Sequence, residues 1–500
     1  MLSTPDLVII AVYILAMTLF GVWFSNKQKD LRAYFVGNRD VGWFMVLMSI
    51  VATETSAVTF LSVPGTAFNP AGGNMTFLQL SFGYIIGRIL VAWLFLPLYM
   101  RGELFSAYQV LREKFGPGVQ RVASGLFLIT RTIADGLRLY LTALVVQYVG
   151  WTIPQAIIAT GVVTIIYTYL GGMKAVLWTD VIQFLIKITG AALALYFVLD
   201  LIPGGWDTFV QVGSAADKFK WLDTEWSPTV AYNLWAGVIG GAVFSMASHG
   251  ADQLMVQRYL CAKSLGQARF ALVLSGFTVC AQFVLFLFVG IGFYVAMKTG
   301  VFDVMLNGKP ATKDEVFGHF IVTKMPVGVV GVLIAAILAA AMSTLASSLN
   351  SSSNAFVTDF YKPMTRPRSE RFYVNLSRLM TAFWGVMQIG VALVAHAVGS
   401  DRSVVDRVLA VAGMTTGLIL GLFILGRMSR PVNSRAAIIG LVTGFIAVFS
   451  IWLPGQLPKG NPILAWPWFP LVGAGTTVVI ALLSHRIFDG PPAAPRNGSP

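Results

Sequence analysis

Residues 52–59, Ala-Thr-Glu-Thr-Ser-Ala-Val-Thr, place hydroxyls and a carboxyl in the middle of an apolar run, and Ala340, Ser343, Thr344, Ser347 and Ser348 set a hydroxyl-rich face on a second one. Polar groups at membrane depth are costly unless they face a cavity, a partner or an ion. Hydroxyls and the carbonyls of an unwound helix are neutral, weak oxygen donors, suited to a small hard cation that must also leave again. Two such segments in one apolar chain point to ion-coupled transport.

Charged residues join them inside the apolar runs. Glu54 calls for a cation or an arginine beside it, or for a protonated, hydrogen-bonded state against a neighbouring helix. Arg131, Asp135 and Arg138 fall on one helical face, so Asp135 neutralises one arginine and a positive charge is left over. Two readings stand: a guanidinium fork for a solute carboxylate, or an ion-pair network that holds helices together. Arg88 and Lys187 also lie within apolar runs, where they supply further partners or snorkel to the interface.

The elements that carry these residues follow from composition. The 500 residues are 56% hydrophobic and 11% charged, with a mean hydropathy of +0.74; soluble domains carry about 25% charged residues. This is an integral membrane protein of the all-α class. Apolar stretches near 6–25, 43–66, 77–100, 121–149, 153–171, 179–202, 232–256, 268–297, 326–358, 373–398, 404–426, 434–453 and 466–486 predict about thirteen transmembrane helices in a single polytopic domain over 1–500. The first stretch lacks a basic leader and a cleavage site and is expected to be a retained helix. Residues 103–116 read as a short amphipathic interfacial helix, and the Pro-rich 490–500 as a disordered tail.

The net charge of +13 does not indicate nucleic acid, because the basic residues cluster in alternate short loops. Lys27, Lys29, Arg32 and Arg39 form one group; Arg101, Arg112, Lys114 and Arg121 the next; later groups centre on Arg258, Arg368 and Arg430. By the positive-inside rule the N-terminus is outside and the C-terminus cytoplasmic, in a plasma (inner) membrane. Cys261 and Cys280 provide no disulfide framework. The four histidines, 249, 319, 396 and 485, have no metal-ligand spacing, so an enzyme is not expected, and no cofactor. Interruptions at 52–59 and at 244–252 (Phe-Ser-Met-Ala-Ser-His-Gly-Ala-Asp) fall in the second and seventh spans, the pattern of an inverted-repeat transporter with a mid-membrane site. Gly237, Gly240 and Gly241 are read as close helix contacts.

The most specific string is Tyr167-Thr-Tyr-Leu-Gly-Gly-Met-Lys-Ala-Val-Leu-Trp-Thr-Asp-Val-Ile-Gln183. Gly171-Gly172 allows a reversal, and Thr179 and Asp180 suit the start of the next helix. The string resembles the signature of the sodium/solute symporter family, carriers of sugars, proline, vitamins, carboxylates and sialic acid. Tyr34-Phe-Val-Gly-Asn-Arg39, Asp252-Gln253 with Gln257-Arg258, and Ser348-Leu-Asn-Ser-Ser352 match family positions too.

The resemblance implies a LeuT-like fold: inverted five-helix repeats at about 43–202 and 232–426, with one helix before and two after. It implies a sodium ion held by the carbonyls of Ala52, Thr55 and Ala340 and the hydroxyls of Ser343 and Thr344; the plain alternative for the hydroxyls is back-bonding one turn down their own helix. Glu54, Asp180 and Ser347 are candidates for a second cation or for coupling, although Ala346 stands where a further hydroxyl belongs, so one sodium per cycle is expected. Substrate candidates are Ser56, Thr59, Arg131, Arg138, Ser245, Ser248 and His249, with Ser248 at the position of the sugar carriers' aromatic gate. The expected function is sodium-coupled secondary active symport of a small polar organic solute by alternating access, with a carboxylate as candidate. The alternatives are proton coupling through Glu54 and sodium-coupled sugar transport. The expected partners are the solute, sodium and the lipid bilayer, and a monomer suffices.

Overall fold

A computed structural model describes residues 2–25, 30–102, 104–147, 150–306, 308–398, 404–428, 432–457 and 460–489. The expected tail at 490–500 lies outside them. The chain is helical almost throughout. We number its principal helices α1 (Thr4–Ser25), α2 (Trp43–Glu54), α3 (Ala57–Phe68), α4 (Leu78–Leu94), α5 (Pro117–Val146), α6 (Ile153–Leu201), α7 (Gly241–Gly250), α8 (Gln253–Leu260), α9 (Leu265–Lys298), α10 (Val329–Ala355), α11 (Glu370–Val398), α12 (Val404–Arg427), α13 (Ser434–Trp452) and α14 (Phe469–Asp489).

Among the described residues eight helices are long and apolar enough to cross a bilayer, or nine if α2 and α3 form one bent span. This is fewer than the thirteen expected, for two physical reasons. The stretches 153–171 and 179–202 fall on the two limbs of α6, a 49-residue run that kinks at Gly172 (φ 59°, ψ −169°), so one run carries two expected spans. And α4, α7 and α8 are each shorter than a full span, while α5 carries charged and hydroxyl groups of the interior that lower its apolarity. Thr179 and Asp180 therefore do not start a helix: it resumes directly after Gly172, and Thr179 Oγ donates back to Ala175 O at 3.0 Å.

The bundle is apolar outside and charged within. Trp23, Ile129, Val386 and Ile487 are exposed, whereas Arg88, Asp180, Lys187 and Arg258 are buried. α10 is the central helix, buried along nearly its whole length, and packs on α6, α5 and α1. α4 lies close against α7 and the π-helical turn Ala236–Gly240 before it; a Cβ on Gly83 would come within 2.2 Å of the Gly237 carbonyl. Within the expected segment 103–116 a short helix forms at Gln109–Phe115.

Two breaks position the interior chemistry. α2 and α3 meet at 61° across Thr55 and Ser56. α7 ends at Ala251, and α8 restarts behind Asp252, whose carboxylate caps it by accepting from Leu254 N at 2.8 Å.

Candidate functional site

A cage of oxygens forms where α2 stops. Thr55 (φ −77°, ψ 71°) is non-helical, and Ser56 N donates to Glu54 O at 2.9 Å rather than reaching back to Ala52. The Ala52 carbonyl is thus released from the helix ladder at a half-helix C-terminus, where unpaired carbonyls concentrate negative potential. α10 crosses here. Ser343 Oγ donates to Ala52 O at 3.2 Å and to Ala340 O at 3.3 Å, and Thr344 Oγ to Thr53 O at 2.9 Å and to Ala340 O at 3.3 Å. The five residues expected around sodium, Ala52, Thr55, Ala340, Ser343 and Thr344, therefore converge. The same hydroxyls also make the back-bonds of the plain helical alternative.

The cage has an occupant that the sequence analysis did not anticipate. Lys187, on α6 and fully buried, extends its ammonium into it, with Nζ donating to Ala52 O at 2.6 Å, Thr55 O at 3.0 Å and Ser343 Oγ at 3.1 Å. It does not snorkel. Among the described residues no carboxylate lies within ion-pair distance of it. Two like unit charges about 4 Å apart repel by about 4 kcal/mol at an effective dielectric constant near 20. A sodium ion and this ammonium exclude each other, and the donor set fits sodium only with Lys187 withdrawn.

The residues considered for a second cation divide. Asp180 and Ser347 meet at Arg258 of α8, whose guanidinium donates to Ser347, Thr53 and Ser49 and lies 3.4 Å from Asp180; Ser49 Oγ also donates to Asp180. Glu54 points elsewhere, pairing with the buried Arg88, with His249 Nε2 at 3.7 Å.

Beside the break a cavity of about 130 Å³ opens between α2, α3, α5, α7 and α12. Ser56, Thr59, Arg131, Arg138, Ser248 and His249 line it, together with Glu54 and Thr344. Ser245 does not; its hydroxyl donates to Tyr84 O at 3.1 Å and seals the α4–α7 contact. Phe77, Tyr84, Phe244 and Phe283 form an aromatic wall, from positions other than that of Ser248.

The expected surplus of positive charge is not there. Arg138 pairs with Asp135, but Arg131 pairs chiefly with Asp252, the cap of α8. With Arg88–Glu54 this makes three guanidiniums and three carboxylates around the cavity. Asp252 is legible in the sequence only as a motif residue, because Arg131 stands 121 residues away and the break at Ala251 is what swings Asp252 towards it. Arg131 and Arg138 still line the cavity, and among the described residues Arg138 Nε has no hydrogen-bond partner. Among the described residues no group of His, Cys, Asp and Glu side chains is placed to hold a metal ion.

A helical bundle, apolar outside and charged within, with two helices broken beside a central polar cavity, is the build of a membrane solute carrier. The chain belongs to the Sodium:solute symporter family, whose model matches residues 34–444. It is 29% identical to the sodium-coupled monocarboxylate transporter 1 of Xenopus laevis over 92% of this chain and 74% of that one. It is 27% identical to the sodium/sialic acid symporter NanT of Aliivibrio fischeri over 97% and 94%, and 28% identical to the human sodium/iodide cotransporter over 90% and 69%. In structure it is similar to the substrate-bound outward-open state of a Na+-coupled sialic acid symporter with a novel Na+ site, with a TM-score of 0.86 and 27% identity over 97% of this chain and 98% of that one. These relatives are transporters, not enzymes, and the family is a sodium-coupled one.

Proposed function

We propose that this protein is an ion-coupled secondary active symporter that imports a small polar carboxylate by alternating access. The observation that carries the substrate class is the pair of guanidiniums, Arg131 and Arg138, facing the cavity beside hydroxyls from Ser56, Thr59 and Ser248. Because each arginine already has a carboxylate partner, an incoming solute binds by sharing or displacing Asp252 or Asp135. The relatives support an anion, since monocarboxylates and iodide are anions by name and sialic acid is an acid.

The architecture we propose is LeuT-like, with about thirteen spans. Its inverted repeats cover residues 43–202 and 232–426, in a plasma membrane with the N-terminus outside. Support comes from the two broken helices in matching positions, α2–α3 and α7–α8. For the driving ion, the sodium-coupled relatives support sodium; the oxygens of Ala52, Thr55, Ala340, Ser343 and Thr344, where the family resemblance puts it, hold the Lys187 ammonium here. The test of the substrate class is calorimetry on purified protein with a series of carboxylates and their amides. Acids binding at least tenfold more tightly than their amides is the expected result; equal affinities, or a neutral sugar as the best ligand, contradict it.

A further inference from the structure

The cage at the α2–α3 break has the oxygens of a cation site and already holds a cation that belongs to the chain. We infer that the Lys187 ammonium is the resident cation of this site, a tethered replacement for sodium, so that sodium does not drive the cycle from here. This rests on the reading of the chain as an ion-coupled carrier.

Three observations carry it. First, Lys187 Nζ shares its three oxygens with the atoms expected around sodium, at 2.6, 3.0 and 3.1 Å from Ala52 O, Thr55 O and Ser343 Oγ. Second, the ammonium supplies what the site needs: three donors of a compact charge, presented to carbonyls at the negative end of a half-helix. Third, the neighbouring position is filled in the same way, since Arg258 donates to Ser347 and faces Asp180. Both places where the family resemblance puts a cation are taken by side-chain cations of the protein.

A tethered cation differs from sodium in what it can do. It holds the broken end of α2 to α10 through the cage, but it cannot cross the membrane with the solute. It therefore contributes a link between the broken helix and the central helix without adding a transported charge.

The test is thermal unfolding of the purified full-length protein in sodium, lithium, potassium and choline chlorides. Wild type is expected to unfold at the same temperature in all four. Lys187→Met, which keeps the apolar stem and removes the ammonium, is expected to gain a sodium-specific rise of several degrees, and the double variant Lys187→Met/Ser343→Ala to lose it. Sodium-specific stabilisation of wild type that disappears in Ser343→Ala overturns the inference, as does a folded Lys187→Met protein indifferent to sodium. The wild-type arm decides even if the variant does not fold. Uptake into proteoliposomes reads the carrier function separately: failure to accumulate any carboxylate under any imposed gradient defeats that reading without altering the pattern of sodium responses.

Discussion

The cage and the cavity share one helix break, and they treat charge in opposite ways. Around the cavity every guanidinium has a carboxylate: Arg88 has Glu54, Arg131 has Asp252 and Arg138 has Asp135. In the cage the Lys187 ammonium, among the described residues, donates only to neutral oxygens. A balanced cavity lets a charged solute enter by exchanging partners. An ammonium held by helix-end carbonyls makes a fixed electrostatic clamp. On the proposed reading, the difference separates a region built for turnover from one built for tethering.

The comparison breaks most readily at the ion pairs. Asp252→Ala removes the chief partner of Arg131 and the cap of α8 together, and leaves that guanidinium with Asp135 alone, at 3.8 Å and already shared with Arg138. We expect a loss of about 3–5 kcal/mol in unfolding free energy, with Asp252→Asn recovering the part due to the cap. A loss under about 1 kcal/mol would show that the pair is slack. Next in size is Ser343→Ala, which withdraws one of the three acceptors of the Lys187 ammonium. Hydrogen bonds to charged groups contribute about 1.5–3 kcal/mol, and chemical denaturation should register a loss of that order. If Ser343 instead holds sodium, the loss appears only in sodium buffers.

Arg138→Lys sharpens the cavity side. A point ammonium cannot reproduce the planar fork, so solute affinity should fall by about tenfold, or about 1.4 kcal/mol, while the folded fraction stays near that of wild type. Lost folding with unaltered affinity in the surviving protein would make the arginines structural. The smallest effect is expected at Ser245→Ala, which deletes one hydrogen bond to Tyr84 O outside the cavity. Stability should drop by about 1 kcal/mol or less, with solute affinity unchanged; a change in affinity would return Ser245 to the binding surface.

Much of this arrangement was legible before the structure. The run 52–59 broke where its polar composition indicated, the hydroxyl face of α10 meets it, and Gly172 supplies the non-helical turn inside the Tyr167–Gln183 string. Six of the seven substrate candidates line one cavity, because hydroxyl and charged residues on otherwise apolar helices have nowhere else to go. Ser245 failed this reasoning because a serine one turn from the cavity serves equally well to let two helices touch, and a Cβ at Gly87 would lie within 2.7 Å of it.

Lys187 and Arg258 were illegible for a different reason. A lysine within an apolar run reads as a snorkelling side chain, and nothing local indicates that its stem lies opposite carbonyls 132 and 135 residues away. Arg258 belongs to a family motif, but its reach to Ser347 and Asp180 depends on how α8 restarts after Asp252. Motif residues mark positions worth attention; the packing decides which of them meet.

The most direct measurement is calorimetric binding of a carboxylate solute to wild-type protein in sodium and in potassium buffers of equal ionic strength. Linkage requires that an ion stabilising the solute-bound state tighten solute binding by the factor that the solute tightens the ion. With Lys187 as resident cation, the account predicts the same solute affinity in both buffers. A sodium buffer that tightens binding more than tenfold, with the effect lost in Ser343→Ala, would contradict it.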